Sequence, residues 1–308
     1  MILVDGHCDT LKEAFKRNID LDNNCLKFNI SSKMNFPILQ MMATYISPEE
    51  AENGYEITKS VLDYFEIQKE KFGDKIIQVK SKEDIQKLMP EKYGMMLTIE
   101  NGSAIQGNLK NIDYLYQKGV KMMSIVWNER NDLASGATEK IDTGLTELGK
   151  EYIKVLNEKR ILVDVSHASE KTFWDTAQIS NAPIVASHSC VYNLCEHPRN
   201  LKDNQIKQIA KMNGIIGVVY SSGFLNKTEK ADIQDIINHI RYIKKLVGID
   251  YVGLGSDFDG LEENHILKRL GGLNDINNLI YELKKEFNNN EIEKIMGENW
   301  LRVIGENI

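Results

Sequence analysis

The sequence lacks the features that mark several broad classes of protein. No apolar run in its 308 residues reaches the ~20 residues that a membrane-spanning helix needs, so such a helix is excluded. Lys and Arg number 38 against 45 Asp and Glu, leaving a formal net charge of −7 and no clustered basic stripe. Nucleic acid and anionic lipid both demand such a stripe and are not expected partners. Cysteine is scarce, and Cys8, Cys25, Cys190 and Cys195 stand without CxxC spacing in a long chain, which points to reduced thiols rather than a disulfide framework. The first residues carry no basic stretch, long apolar segment or small-residue cleavage site, so a cytoplasmic location is expected. There is no phosphate-binding loop, internal repeat or low-complexity tract. Gly253-Leu254-Gly255 is only superficially a dinucleotide loop, because Gly260 falls too late to be its third glycine. A small molecule is left as the expected partner.

What is present is ordinary globular composition, 42% apolar and 27% charged, enough to bury a sizeable core. Apolar runs predict eight strands, at 2–6, 38–46, 94–100, 120–127, 161–165, 183–187, 214–220 and 251–256. Helical spacing is clearest over 49–72, 146–159, 203–212 and 231–247, with Thr146 and Asp203 as expected N-caps and Gly248 as an expected C-cap. This strand-then-helix rhythm predicts an α/β protein, a (β/α)8 TIM-type barrel forming a single catalytic domain over 1–308. Irregular stretches at 18–36, 128–145 and 221–230 are expected to shape a pocket, and Glu291 to Ile304 reads as a closing helix.

The polar residues at the strand ends carry the chemistry. The first strand runs into Asp5-Gly6-His7-Cys8-Asp9, where alternation sends His7 and Asp9 one way and Cys8 the other. Later strands end at Glu100, at Asp164-Val165-Ser166-His167, at Ser187-His188 and at Ser256-Asp257. A barrel brings these ends to one mouth. Nitrogen and oxygen donors of this kind favour zinc and its neighbours. Three imidazoles and two carboxylates exceed what one tetrahedral ion with an open position takes, and suit two ions sharing a carboxylate, with Asp257 left to move a proton. Asp164 is a candidate to orient a ligand imidazole. His239, inside an apolar helix stripe, reads as structural, and His265 as a solvated loop residue.

Taken in order, Asp5-Gly6-His7-Cys8-Asp9, Ile99-Glu100-Asn101-Gly102, Asp164-Val165-Ser166-His167, Ser187-His188-Ser189, Arg199-Asn200 and Gly255-Ser256-Asp257-Phe258-Asp259-Gly260 span essentially the whole chain. This pattern resembles the membrane (renal) dipeptidases and their bacterial relatives, dinuclear zinc peptidases on a barrel. The resemblance implies two zinc ions per chain, His7 and Asp9 holding one, His167 and His188 the other, and Glu100 bridging. It implies that Asp257 handles the proton, that Arg199 meets the substrate's C-terminal carboxylate, and that the chain pairs as a homodimer. One departure stands out: Trp127, followed by Asn128, occupies the place of a substrate-contacting histidine in mammalian members. Trp127 cannot accept a proton, but its indole or the Asn128 amide is a candidate donor to the developing oxyanion.

The expected function is therefore a zinc-dependent dipeptidase acting on short peptides with a free C-terminal carboxylate, a C-terminal D-residue among the options. Two rival readings are a related barrel amidohydrolase or lactonase with a non-peptide substrate, and a metal-binding protein without turnover. The first is disfavoured because no lysine stands at a strand's C-terminal end, where many such enzymes carry a carboxylated lysine. The second is disfavoured because the ligand set and Asp257 are intact.

Overall fold

A computed structural model describes residues 1–308 except Asn23 and Glu229. Nine strands run parallel: β1 (Leu3–Cys8), β2 (Ile38–Tyr45), β3 (Ile76–Gln78), β4 (Tyr93–Glu100), β5 (Val120–Ser124), β6 (Leu162–Asp164), β7 (Ile184–Ser189), β8 (Ile215–Val218) and β9 (Val252–Leu254). β1 pairs with both β2 and β9, and β2 pairs with β4, so eight strands close into a barrel with helices between them. This is the (β/α)8 architecture expected from the sequence. The ninth strand, β3, pairs only with the start of β4, Ile76 opposite Tyr93, whereas β5 joins the same strand further along, Val120 opposite Leu97. Three residues are too few to show a period, which is why β3 escapes a reading of patterns.

Two apolar shells hold the barrel. Alternate residues of the strands, among them Val4, Leu39, Met41, Met96, Met122, Leu162, Val185 and Ile215, fill its interior. Their neighbours face the helices, where they join the larger outer core. The interior is plugged by the last helix, Asn299–Asn307, through Trp300, Val303 and Ile304. Trp300 is fully buried and its indole Nε1 donates to the Leu254 carbonyl at 2.9 Å. Glycine makes the room: a Cβ on Gly6 would lie 2.4 Å from Trp300 Cζ2, closer than two carbons can approach.

The closing helix differs from the single element expected over 291–304. It begins as Asn289–Glu293, widens to a π turn over Lys294–Glu298, and resumes as α-helix. The Thr146 cap is as expected, its hydroxyl accepting from Gly149 N at 3.0 Å. Asp203 is not a cap: Lys202 takes that position, and the Asp203 carboxylate accepts from the Tyr242 hydroxyl at 3.0 Å. Among the described residues no helix is long and apolar enough to cross a membrane.

Trp300 is the plug on which the barrel's lower half closes, so Trp300→Ala should lower unfolding stability by about 3–5 kcal/mol. Urea denaturation followed by circular dichroism measures this directly; a loss under about 1 kcal/mol would show that the barrel end closes without it.

Candidate active site

Two interruptions of strand register aim the site. Leu3 and Cys8 both pack in the outer core while Val4 faces inward, so the alternation of β1 reverses between them. The register of β1 against β2 shifts between Asp5 and Cys8. That shift turns the His7 imidazole into the mouth and Cys8 outward, a result that unbroken alternation from Val4 would have inverted. β7 repeats the device: Val185 faces inward, Ala186 outward, and the register against β8 shifts between Ala186 and Ser189, around His188. Glu100 needs no shift, since it lies in phase with the inward Met96. His167 and Asp257 reach the mouth through left-handed backbone, at φ 71° and 62°. Such backbone is rare for residues with a Cβ and typical of functional turns.

The predicted ligands meet. His7 Nε2 lies 3.4 Å from Asp9 Oδ2, 3.3 Å from Glu100 Oε2 and 3.8 Å from Asp257 Oδ1. The other oxygen of Glu100, Oε1, lies 2.8 Å from His167 Nε2 and 3.9 Å from His188 Nε2. Donor atoms fall into three overlapping groups, His7 with Asp9 and Glu100, Glu100 with His167 and His188, and His7 with His188 and Asp257, each within 4.8 Å. All six residues line the barrel mouth, and all but the partly exposed Asp257 are buried.

Partners on the far ring nitrogens fix the imidazoles. His167 Nδ1–H donates to Asn128 Oδ1 at 2.8 Å. His188 Nδ1–H donates to Ser187 Oγ at 2.7 Å, and that hydroxyl donates to Asp164 Oδ2 at 2.5 Å. Both rings therefore present a bare Nε2 to the mouth, and these two nitrogens stand 2.8 Å apart. Two lone pairs facing each other at that distance repel unless a cation lies between them. His7 Nε2 and Asp9 Oδ1 are likewise buried without a hydrogen-bond partner among the described residues. The residues present thus fit a bound metal: nitrogen and oxygen donors, unpartnered, with their outer atoms already held.

Titration follows from burial and crowding. Burial pushes Asp257 up to about 7, with Asp9 and Glu100 adding to the rise against the pull of His7. Burial and then Glu100 push Asp9 up to about 6. Burial opposes ionisation of Glu100, but His7 and His167 outweigh it and hold this carboxylate below its ordinary range. Burial, aided by Arg199, drops His167 to about 3, and burial keeps His188 well below the usual imidazole value, so both stay neutral as ligands must.

A cavity of about 590 Å³ opens over this mouth, with Arg199, Trp127 and Asn128 in its lining. Arg199 is 4% exposed and, among the described residues, pairs with no carboxylate within 4.0 Å; its Nη2 donates to the His188 carbonyl at 3.3 Å. Burial lowers its pKa to about 10, which leaves it charged at neutrality. Trp127 lies between Tyr45 and His167, at ring distances of 5.3 and 5.9 Å. The side-chain oxygen of Asn128 is committed to His167.

Asp164, the candidate named from the sequence, does support an imidazole, that of His188 through Ser187. Other supports were missed in the sequence. Asp5 and Ser256 form a matching pair beside His7, Ser256 N donating to Asp5 Oδ1 at 2.7 Å. The D-V-S-H run and the S-H run held the signal, a carboxylate and a hydroxyl two strands' ends apart, but only pairing Asp164 with Val185 brings them together. His197, unremarked in the sequence, and His265 both line the cavity. His239 is structural as expected: Nδ1 accepts from Val191 N and Nε2 bonds the Leu225 carbonyl, both at 3.0 Å. Of the 18–36 stretch, expected to shape the pocket, Asn23 lies outside the described residues and none of the described ones lines the cavity; the helix Thr10–Arg17 does so instead through Lys12, Glu13 and Lys16.

With the geometry in hand, comparison with known proteins places the chain. The family model described as membrane dipeptidase, peptidase family M19, matches residues 1–307. The chain belongs to this family. Membership makes it a hydrolase of the dipeptidase type. It is 34% identical over 233 residues to an uncharacterised protein of the pqqA 5′ region of Klebsiella pneumoniae, covering 72% of this chain and 85% of that one. It is 33% identical over 220 residues to an uncharacterised dipeptidase of Schizosaccharomyces pombe, covering 69% of this chain but 52% of the yeast protein. The fold matches that of a metallo peptidase from Rhodobacter sphaeroides, liganded with a phosphinate mimic of L-Ala-D-Ala, at a TM-score of 0.92 and 20% identity over 100% and 99% of the two chains.

The hydroxyl of Ser187 links Asp164 to His188, so Ser187→Ala should weaken metal binding about 10–100-fold while leaving the fold intact. Metal titration by calorimetry reads the change, and unaltered affinity would mean that Ser187 does not orient the imidazole.

Proposed function

We propose that this dipeptidase works through two zinc ions, hydrolysing short peptides that end in a free carboxylate, with the barrel acting as one catalytic unit. The observation that carries the reading is the pair of bare imidazole nitrogens, His167 Nε2 and His188 Nε2, 2.8 Å apart beside Glu100. His7 and Asp9 would hold one ion, His167 and His188 the other, and Glu100 would lend one oxygen to each side. Bound there, the metals supply Lewis acidity, polarising the scissile carbonyl and acidifying a water.

The remaining steps belong to the chain's own groups. Asp257, whose largely buried carboxyl is pushed up to about 7, accepts a proton from the attacking water and returns it to the departing amine. Arg199, charged, buried and without a carboxylate partner among the described residues, takes the substrate's C-terminal carboxylate through its forked N–H groups. Asn128 keeps His167 in the tautomer that leaves Nε2 free. Trp127 forms an apolar wall with Tyr45 and excludes water from one side of the cavity. The ligand of the Rhodobacter sphaeroides structure makes L,D dipeptides a rational part of any substrate panel.

Glu100→Gln should reduce bound metal from two ions per chain to one or fewer and lower kcat/KM at least about 100-fold. Asp257→Asn should retain both metals and lose activity by about 10²–10⁴-fold, the range of general acid–base catalysis. Elemental analysis and assay on L,L and L,D dipeptides check both; full metal content and undiminished turnover in Glu100→Gln would sink the scheme.

A further inference from the structure

Strands β2 and β4 pair in unbroken register, from Ile38 beside Tyr93 to Tyr45 beside Glu100. Met41 and Met96, a pair four residues earlier, both fill the barrel interior. An even step along a strand keeps the face, so Tyr45 and Glu100 emerge into the mouth side by side, about 4.8 Å apart at the backbone. Trp127 packs on the Tyr45 ring at 5.3 Å. Tyr45 lines the reaction cavity, and its hydroxyl makes no hydrogen bond among the described residues. Nor is that hydroxyl shut off from the surface, as His7 Nε2 and Asp9 Oδ1 are. It is a free donor beside Glu100.

Hydrolysis of an amide moves negative charge onto the carbonyl oxygen, and a preorganised donor there lowers the barrier. Several donors of the lining are engaged elsewhere. Lys12 Nζ donates to both oxygens of Glu50 at 3.0 Å, Lys16 Nζ to Glu13 at 2.9 Å, and the Thr138 hydroxyl to the Asn128 carbonyl at 2.7 Å. Ser221 Oγ is shut off from the surface. We propose that the Tyr45 hydroxyl is a catalytic group, the donor that meets the developing oxyanion. The oxygen of the attacking water bonds the carbonyl carbon, its proton goes to Asp257, and the carbonyl π pair moves onto oxygen, which accepts a hydrogen bond from Tyr45. As the C–N bond breaks, that pair re-forms the carbonyl and the amine takes the proton from Asp257. Tyr45 keeps its own proton throughout. Burial, and then Glu100 and Asp9, push the phenol well up, which suits a group that donates without ionising.

The inference rests on the dipeptidase reading, so its test reads binding as well as turnover. Tyr45→Phe keeps the ring against Trp127 and removes the donor. In the metal-loaded protein this variant should lower kcat on dipeptides about 10²-fold, the lower end of what one oxyanion donor supplies, with KM changed less than about threefold. Calorimetric affinity for a phosphinate dipeptide analogue, whose tetrahedral oxygens copy the adduct, should fall by a similar factor. An analogue with CH2 in place of the carbonyl offers no oxygen there, so its affinity should hold within about twofold. Equal loss for both analogues, loss of metal, or a change in KM alone would make Tyr45 a structural residue and overturn the proposal. Selective loss of the phosphinate in Trp127→Phe but not in Tyr45→Phe would overturn it too. Dipeptide turnover that is unaltered in Tyr45→Phe removes this inference alone, whereas a wild type that hydrolyses no dipeptide removes the peptidase reading and this inference with it.

Discussion

Crowding of like charge around one imidazole is the constraint on which the rest of the structure depends. Asp9, Glu100 and Asp257 all approach His7 Nε2 within 3.8 Å, in a mouth where Glu100 is 6% exposed and His7 2%. Burying several carboxylates side by side is among the costliest arrangements a protein can make, and one imidazolium cannot offset three of them. Burial and the neighbouring carboxylates raise Asp9 and Asp257 accordingly. A divalent cation would relieve the repulsion, which makes metal binding and stability of the mouth one problem rather than two.

The barrel meets this cost with rigidity laid down in layers beneath the mouth. Asp164 accepts from Ser166 N and Ser187 N, both at 2.9 Å, and so ties the ends of β6 and β7 together under His167 and His188. Asp5 does the same for β1 and β9 through Ser256 N and its hydroxyl. Each carboxylate is thus held by hydrogen bonds to the backbone and hydroxyl of a neighbouring strand, which fixes the imidazoles before any ion arrives. Below these pairs stands Trp300, admitted by Gly6 and Gly253. The site therefore rests on a polar layer, and the polar layer on an apolar plug.

How much of this could be read in advance follows from the range of each interaction. Eight strands and the four clearest helices were legible because their apolar periods are local, and the metal-site residues because each ends such a strand. His7 and His188 face inward only through register shifts opposite β2 and β8, which depend on neighbours distant in sequence. Pairing of Asp164 with Ser187, and the commitment of Asn128 to His167 across 39 positions, are tertiary facts without a local pattern. The Asp203 cap failed for a related reason, since the carboxylate found Tyr242 and Asn193 instead of its own helix. Even Cys8, which does turn outward, does so because the strand breaks its alternation rather than because it keeps it.

The distribution of charge over the cavity gives the site a direction. Carboxylates crowd the barrel mouth, and Arg199 stands in the wall of the same cavity. A dipeptide carries one ammonium and one carboxylate at its ends, so on the proposed reading it can lie in that cavity in one orientation, its carboxylate towards Arg199. Trp127 and Tyr45 add aromatic surface on the side of His167. A peptide extended beyond that carboxylate would place an uncharged amide against the guanidinium, so on the same reading Arg199 sets which residue of the substrate is the last. The N-terminal end would meet the carboxylates of the mouth, so the two ends of the substrate are read by opposite charges and length is limited without an obstruction at the cavity's entrance.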